Sequence, residues 1–185
     1  WAALVISLIG ALLLGGGVIL LIAHNWEDLP KAARLALAMG PLLVAQGLAW
    51  RARGDRAEGR MAYAESVGGF WALACGGAIA IVSQVYHLSG DLDSFLKVWA
   101  LAVLPIVYLL NSSFAGLIYL ALIAGWAGNA MSPGYAGWFW LWLAPILPWA
   151  LAQWRSAGTS MRSAWALWGL VLVLGCGVGF SLERS

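Results

Sequence analysis

The chain reads as an all-α polytopic transmembrane helical bundle of about seven spans, with six or eight as the neighbouring counts. Three observations carry that reading. Of 185 residues, 63% are hydrophobic and 10% charged, whereas a soluble domain carries about 25% charged residues. Ten basic and eight acidic side chains cannot cover the water-facing area of a particle this size. Apolar runs of about 20 residues, long enough to cross a hydrocarbon core, recur along the chain. Runs such as "LVISLIGALLLGGGVILLIA" also lack the alternation of a barrel strand, which leaves helices as the way to satisfy backbone groups in lipid.

The first predicted span covers residues 1–23, roughly 34 Å at about 1.5 Å per residue. It carries Gly15, Gly16 and Gly17, suited to close helix packing or a local bend. "HNWED" marks its exit, and Asp28 is placed to cap the next helix with Pro30 in its first turn. That second span runs to about residue 50. The loop "RARGDRAEGR", residues 51–60, is the clearest topological marker. A third span covers about 63–86, and Asp93 is placed to cap a fourth that reaches residue 110 with Pro105 inside it. "NSS", residues 111–113, reads as a tight turn. The fifth span, 114–129, is short for a bilayer. A sixth, about 138–153, is bent by Pro145 and Pro148, and a seventh covers 164–182.

Arg51, Arg53, Arg56, Arg60, Arg155 and Arg162 fall on one side of this arrangement, and Lys31, Arg34, Lys97 and Arg184 on the other. The excess predicts that the 51–60 loop faces the cytoplasm, in a bacterial cytoplasmic membrane. The chain opens on Trp1 inside an apolar run too long for a signal-peptide core. A segment upstream is therefore expected.

Two stretches echo each other. "GGGVILLIAHNW" (residues 15–26) resembles "CGGAIAIVSQVY" (residues 75–86) at an offset of sixty, and each is followed by acids, a lysine and an apolar helix containing proline. Chance likeness between glycine-rich helices is one explanation. The other is a duplicated parallel two-helix unit, residues 10–50 and 70–112, both copies running in the same sense.

The polar residues gather at the exits of the first and third spans. His24, Asn25, Trp26 and Glu27 follow one; Gln84, Tyr86, His87 and Asp91 follow the other. Histidine changes charge near neutral pH, and amides and carboxylates can hold a small polar ligand or a proton, so these eight are the candidate ligand-binding or functional residues. The plainer account is interfacial: indole suits the headgroup layer, and Asp91 and Asp93 suit turns and caps. Glu65, near the start of the third span, either pairs with Arg56 or Arg60 at the interface or points into the bundle, where its charge needs a partner. Gln46 can hydrogen-bond across helices. Of the thirteen tryptophans, Trp1, Trp26, Trp50, Trp126, Trp154 and Trp165 lie near predicted span ends and read as a headgroup belt, as do Trp138, Trp140 and Trp142, for which a sugar or lipid platform is the alternative.

Two histidines and scattered acids show no metal-ligand spacing, so no metal site is expected. Cys75 and Cys176 lie in apolar runs without C-x-x-C spacing, and no disulfide is expected. Nucleotide-loop, zinc-protease and nucleophile-elbow motifs do not occur in the sequence. No catalytic residue is assigned and no cofactor is expected. The basic residues are not clustered as nucleic-acid binding requires. Membrane lipids are the expected surroundings, with a protein partner or a second copy as further possibilities.

"GALLLGGGVILLIAHNWEDLPKAARLAL" and "SQVYHLSGDLDSFLKVWALAVLPIVYLL" resemble the prokaryotic predicted membrane proteins of the domain of unknown function 2157. Their "IAxNW" signature is matched by Ile22, Ala23, Asn25 and Trp26, and their "xQxYxxxGD" signature by Gln84, Tyr86, Gly90 and Asp91. The likeness spans roughly residues 10–110. It implies a glycine-rich first span and a short soluble segment ahead of it, but transfers no activity, substrate or catalytic residue.

Three functions are then open. The preferred expectation is a transport or channel component for a small solute or ion, using the polar residues at the ends of spans one and three. The second is a non-catalytic membrane sensor, assembly factor or complex subunit. The third is an intramembrane enzyme acting on a lipid or lipid-linked substrate, for which His24, Glu27, His87 and Asp91 are the available groups.

Overall fold

A computed structural model of the chain describes residues 24–52, 58–129, 135–155 and 161–182. The predicted first span and its three glycines lie outside these residues, as does part of the first proposed repeat unit. The described residues form α1 (Lys31–Ala52), α2 (Glu58–Val85), α3 (Leu92–Leu110), α4 (Ser113–Asn129), α5 (Tyr135–Leu143), a 3₁₀ turn (Ala144–Ile146), α6 (Leu147–Arg155) and α7 (Met161–Leu182). Among the described residues, three stretches are long and apolar enough to cross a membrane: Lys31–Arg51, Ala62–Val85 and Leu92–Leu110. Ser113–Asn129 and Leu167–Gly179 are shorter apolar helices.

Helix α1 packs on α2 as an antiparallel hairpin, α2 packs on α3 and α4, and α4 also touches α3, α5 and α7. The core therefore forms around α4. Ala115, Tyr119, Leu120, Ile123 and Trp126 of α4 are buried together with Val103, Ile106 and Val107 of α3 and Phe139, Leu143, Ile146 and Trp149 of the α5–α6 segment. A helix hydrophobic all round is one surrounded by other helices or by lipid. The 17 residues of α4 give a length of only about 26 Å, and most of that length is enclosed by α2, α3, α5 and α7.

Predicted spans two, three, four, five and seven appear as α1, α2, α3, α4 and α7, within a few residues at their ends. The sixth is interrupted. Pro145 and Pro148 remove two backbone donors, and the chain passes through Ala144–Ile146 as 3₁₀ before resuming. Tyr119 Oη donates to the Trp142 carbonyl at 2.5 Å, and Tyr108 Oη donates to that of Pro145. These hydroxyls meet carbonyls around the break, groups that hydrocarbon would leave unsatisfied.

Two capping expectations change. Asp91, not Asp93, caps α3: it has extended backbone (φ −90°, ψ 163°) and accepts the Ser94 N–H at 2.8 Å. That is the N-cap-to-third-residue bond. Asp93 lies inside the first turn and pairs with Lys97 at 2.6 Å, the i,i+4 arrangement. Helix α1 starts after Pro30, whose carbonyl accepts from Ala33 and Arg34. The belt also needs amending. Trp50 and Trp154 are exposed as expected, but Trp126 is 3% exposed and packs in the core against Trp142, the ring centres 6.1 Å apart and the planes tilted by 49°.

Candidate functional site

Polar chemistry concentrates in two places. The first is the end of the hairpin where α1 begins and α2 finishes; antiparallel packing of α1 on α2 brings both predicted exits to that end. His24, Asn25 and Glu27 are exposed and Trp26 is half-buried. Arg34 fastens this turn: its Nε donates to the Leu29 carbonyl (3.0 Å), its Nη2 to that of Glu27 (3.1 Å), and its guanidinium lies 5.2 Å from the Trp26 ring centre. A planar cation on an aromatic face and on two carbonyls holds the turn with little freedom.

The second exit is a helix stop. His87 has φ 51°, its N–H bonds the Gln84 carbonyl, and the next N–H, of Leu88, bonds that of Ser83. This is the Schellman arrangement, whose left-handed position glycine normally fills. Gln84, Tyr86, His87 and Asp91 are all exposed. Hydrogen bonds from Ser94 hold the Asp91 carboxyl below its ordinary value. The backbone of "SQVYHLSGD" thus stops α2 and starts α3, and the side chains of Gln84, Tyr86, His87 and Asp91 face outward while Val85 is buried. Among the described residues no group of three or more His, Cys, Asp or Glu is placed to hold a metal ion.

Beneath this end runs an open groove of about 340 Å³ between α1, α2 and α3. Met39, Leu42, Ala78, Val82, Leu88 and Ala102 are among the residues that line it. Ser83 is the one lining residue with a hydroxyl.

The second polar centre lies at the opposite end of α2 and is only half legible in the sequence. Glu65, one turn inside the span, points into the bundle. Its carboxylate accepts the Ser112 hydroxyl (2.8 Å) and the backbone N–H groups of Ser113 and Phe114 (2.9 Å each). Ser112 Oγ in turn accepts the Ala115 N–H at 3.2 Å. Three of the four orphan donors at the start of α4 are thereby met by two side chains, one from a neighbouring helix. The close approach needs Gly68 and Gly69 on α2, where any Cβ would fall on Ser112 and on the Phe114 ring. Asn111 takes the left-handed conformation (φ 48°, ψ 41°), which asparagine tolerates. Its Oδ1 accepts from Trp149 Nε1 (3.0 Å) and Gln153 Nε2 (2.9 Å) on α6. "NSS" is a hub joining α2, α3, α4 and α6.

The sequence contained the signal, an acid within an apolar span and an Asn-Ser-Ser between two others. What it lacked was the pairing across 47 positions. Apolar helices of spanning length, fastened by a half-buried carboxylate between helices and ending in polar turns, define an integral membrane protein of the polytopic helical class. The chain belongs to the family described as predicted membrane protein (DUF2157), whose model matches residues 2–116. That stretch holds both signatures and the Glu65–Ser112 contact. No curated protein and no solved structure matches the chain.

Proposed function

We infer that the protein is a non-catalytic subunit or assembly partner of another membrane protein, built around a rigid α2–α3–α4 frame. One observation supports this most. Gln46 is exposed on α1, a helix packed mainly on α2, and it sits about 7 Å inside the Arg51 end of the span. An amide there gains from a partner across a helix interface. The outward side of α1 also carries Gly40 and Gly47, with open space where a Cβ would stand, and the exposed Leu43, Val44 and Trp50. Small residues beside a polar one suit helix–helix contact in lipid. In this reading His24, Asn25, Trp26, Glu27, Gln84, Tyr86, His87 and Asp91 are the extramembrane part of the same contact, and the 51–60 loop faces the cytoplasm of a bacterial cell.

The test is site-specific photo-crosslinking in native membranes, with the reactive side chain at Gln46, then at Asn25. The expected product is an adduct to one separate membrane polypeptide from both positions. Adducts only within the chain, to residues 1–23 for example, count against the proposal. A transport role is the second reading, supported by the groove that opens beside the polar exits. It predicts solute or proton flux in proteoliposomes that falls on Asn25→Ala or Gln84→Ala.

A further inference from the structure

The geometry points to a phospholipid site: one acyl chain lies in the groove between α1, α2 and α3, and a phosphoethanolamine head rests on Glu27, Asp28 and Lys31. The groove runs from Leu88, just past the end of α2, down to Cys75, ten residues before Val85 and hence about 15 Å deep. Spread over that depth, about 340 Å³ gives a mean cross-section of about 23 Å². That is the width of one hydrocarbon chain. An α-helix about 10 Å across fills about 80 Å² and would lie over the groove, not inside it. Its lining is apolar along that depth, which suits a chain and repels water.

The head follows from what stands at this end of the hairpin, where α1 begins and α2 finishes. Lys31 precedes Leu42 by eleven residues, three helical turns, so the two share one stripe of α1. Lys31 is exposed, and the first turn of α1 carries no acid. A cation there opposes the helix dipole, and a bound phosphate relieves that conflict. Glu27 and Asp28 are exposed four and three residues earlier. Among the described residues, the other lysine and arginine at this end are engaged: Arg34 with two carbonyls and Trp26, Lys97 with Asp93. One cation beside two carboxylates matches a head that carries a phosphate and a primary ammonium. A choline head offers no N–H donor to the acids, and a glycerol head brings no positive charge.

Native mass spectrometry of the full chain in mild detergent tests this, with phosphatidylethanolamine, phosphatidylcholine and phosphatidylglycerol of identical acyl chains. The expected result is one retained lipid, with the ethanolamine form bound about tenfold more tightly than the choline form. Glu27→Gln with Asp28→Asn should erase that preference, and Lys31→Gln should weaken all three lipids. Ala102→Phe, which fills the groove, should remove the retained lipid whatever its head. Equal binding of ethanolamine and choline lipids by the native chain overturns the site, as does an unchanged adduct in Ala102→Phe. A shift in oligomeric state on filling the groove, with lipid binding unaltered, also overturns it. Should Ala102→Phe fail to fold, the three exposed rim substitutions still decide the matter.

Discussion

Removing the Glu65 carboxylate should loosen the junction of α2 with α4 more than any surface change. Glu65→Ala deletes an acceptor shared by a hydroxyl and two backbone donors at 2.8–2.9 Å. Hydrogen bonds to a charged group contribute about 1.5–3 kcal/mol each when formed singly, and a stranded buried donor costs about 1–3 kcal/mol. Three bonds on one carboxylate do not add in full, and Phe114 is partly reached by solvent. The expected loss is therefore about 2–4 kcal/mol. Glu65→Gln keeps one accepting oxygen but turns an NH₂ group toward donors, for about 1–2 kcal/mol. The measurement is unfolding in mixed micelles, followed by tryptophan fluorescence, as a double-mutant cycle with Ser112→Ala. A coupling of at least about 1 kcal/mol is expected for directly bonded partners. If both Glu65 variants stay within about 0.5 kcal/mol of the native protein, or the cycle is additive, the hub is not what fixes α4.

Other substitutions probe other contacts. His87→Gly should leave stability unchanged or raise it by about 1 kcal/mol, since glycine takes the left-handed backbone without penalty; a fall in the same unfolding assay refutes the helix-stop reading. Gly76→Ala should cost about 1–3 kcal/mol, because the new methyl meets the Trp99 ring, whose Nε1 donates to the Ala72 carbonyl at 2.7 Å; wild-type stability in that variant removes the packing argument. The Asp91 cap makes the start of α3 pH-sensitive. Its folded pKa is depressed, so its contribution is complete above the ordinary carboxylate value and is lost as pH falls through the lower folded value. The Ser94 amide resonance in micelles should titrate with a midpoint below about 3.8, and the step should vanish in Asp91→Asn; a midpoint at or above that value contradicts the cap.

Composition and run length were sufficient for the environment, the helical class and the approximate positions of α1 to α4 and α7. The reason is physical: hydrocarbon leaves a chain so few ways to satisfy its backbone that about 20 apolar residues announce a helix. Breaks were equally legible, as the prolines around Ala144–Ile146 show, because a missing donor is local. The exits at Trp26 and Tyr86 were found for the same reason, a change of polarity along the chain. What each polar residue does was decided in three dimensions. Glu65 was placed with a choice between a nearby arginine and the bundle interior, and the fold sets its carboxylate on residues 112–114. His87 read as chemistry or as a wet surface, and its backbone proves to be a helix stop. Trp126 and Trp154 look alike as residues near span ends, yet one packs against Trp142 in the core and the other is exposed. Hydropathy depends on each residue alone and survives in the linear chain. Hydrogen bonding and packing depend on which residues meet, and only the folded bundle brings those together.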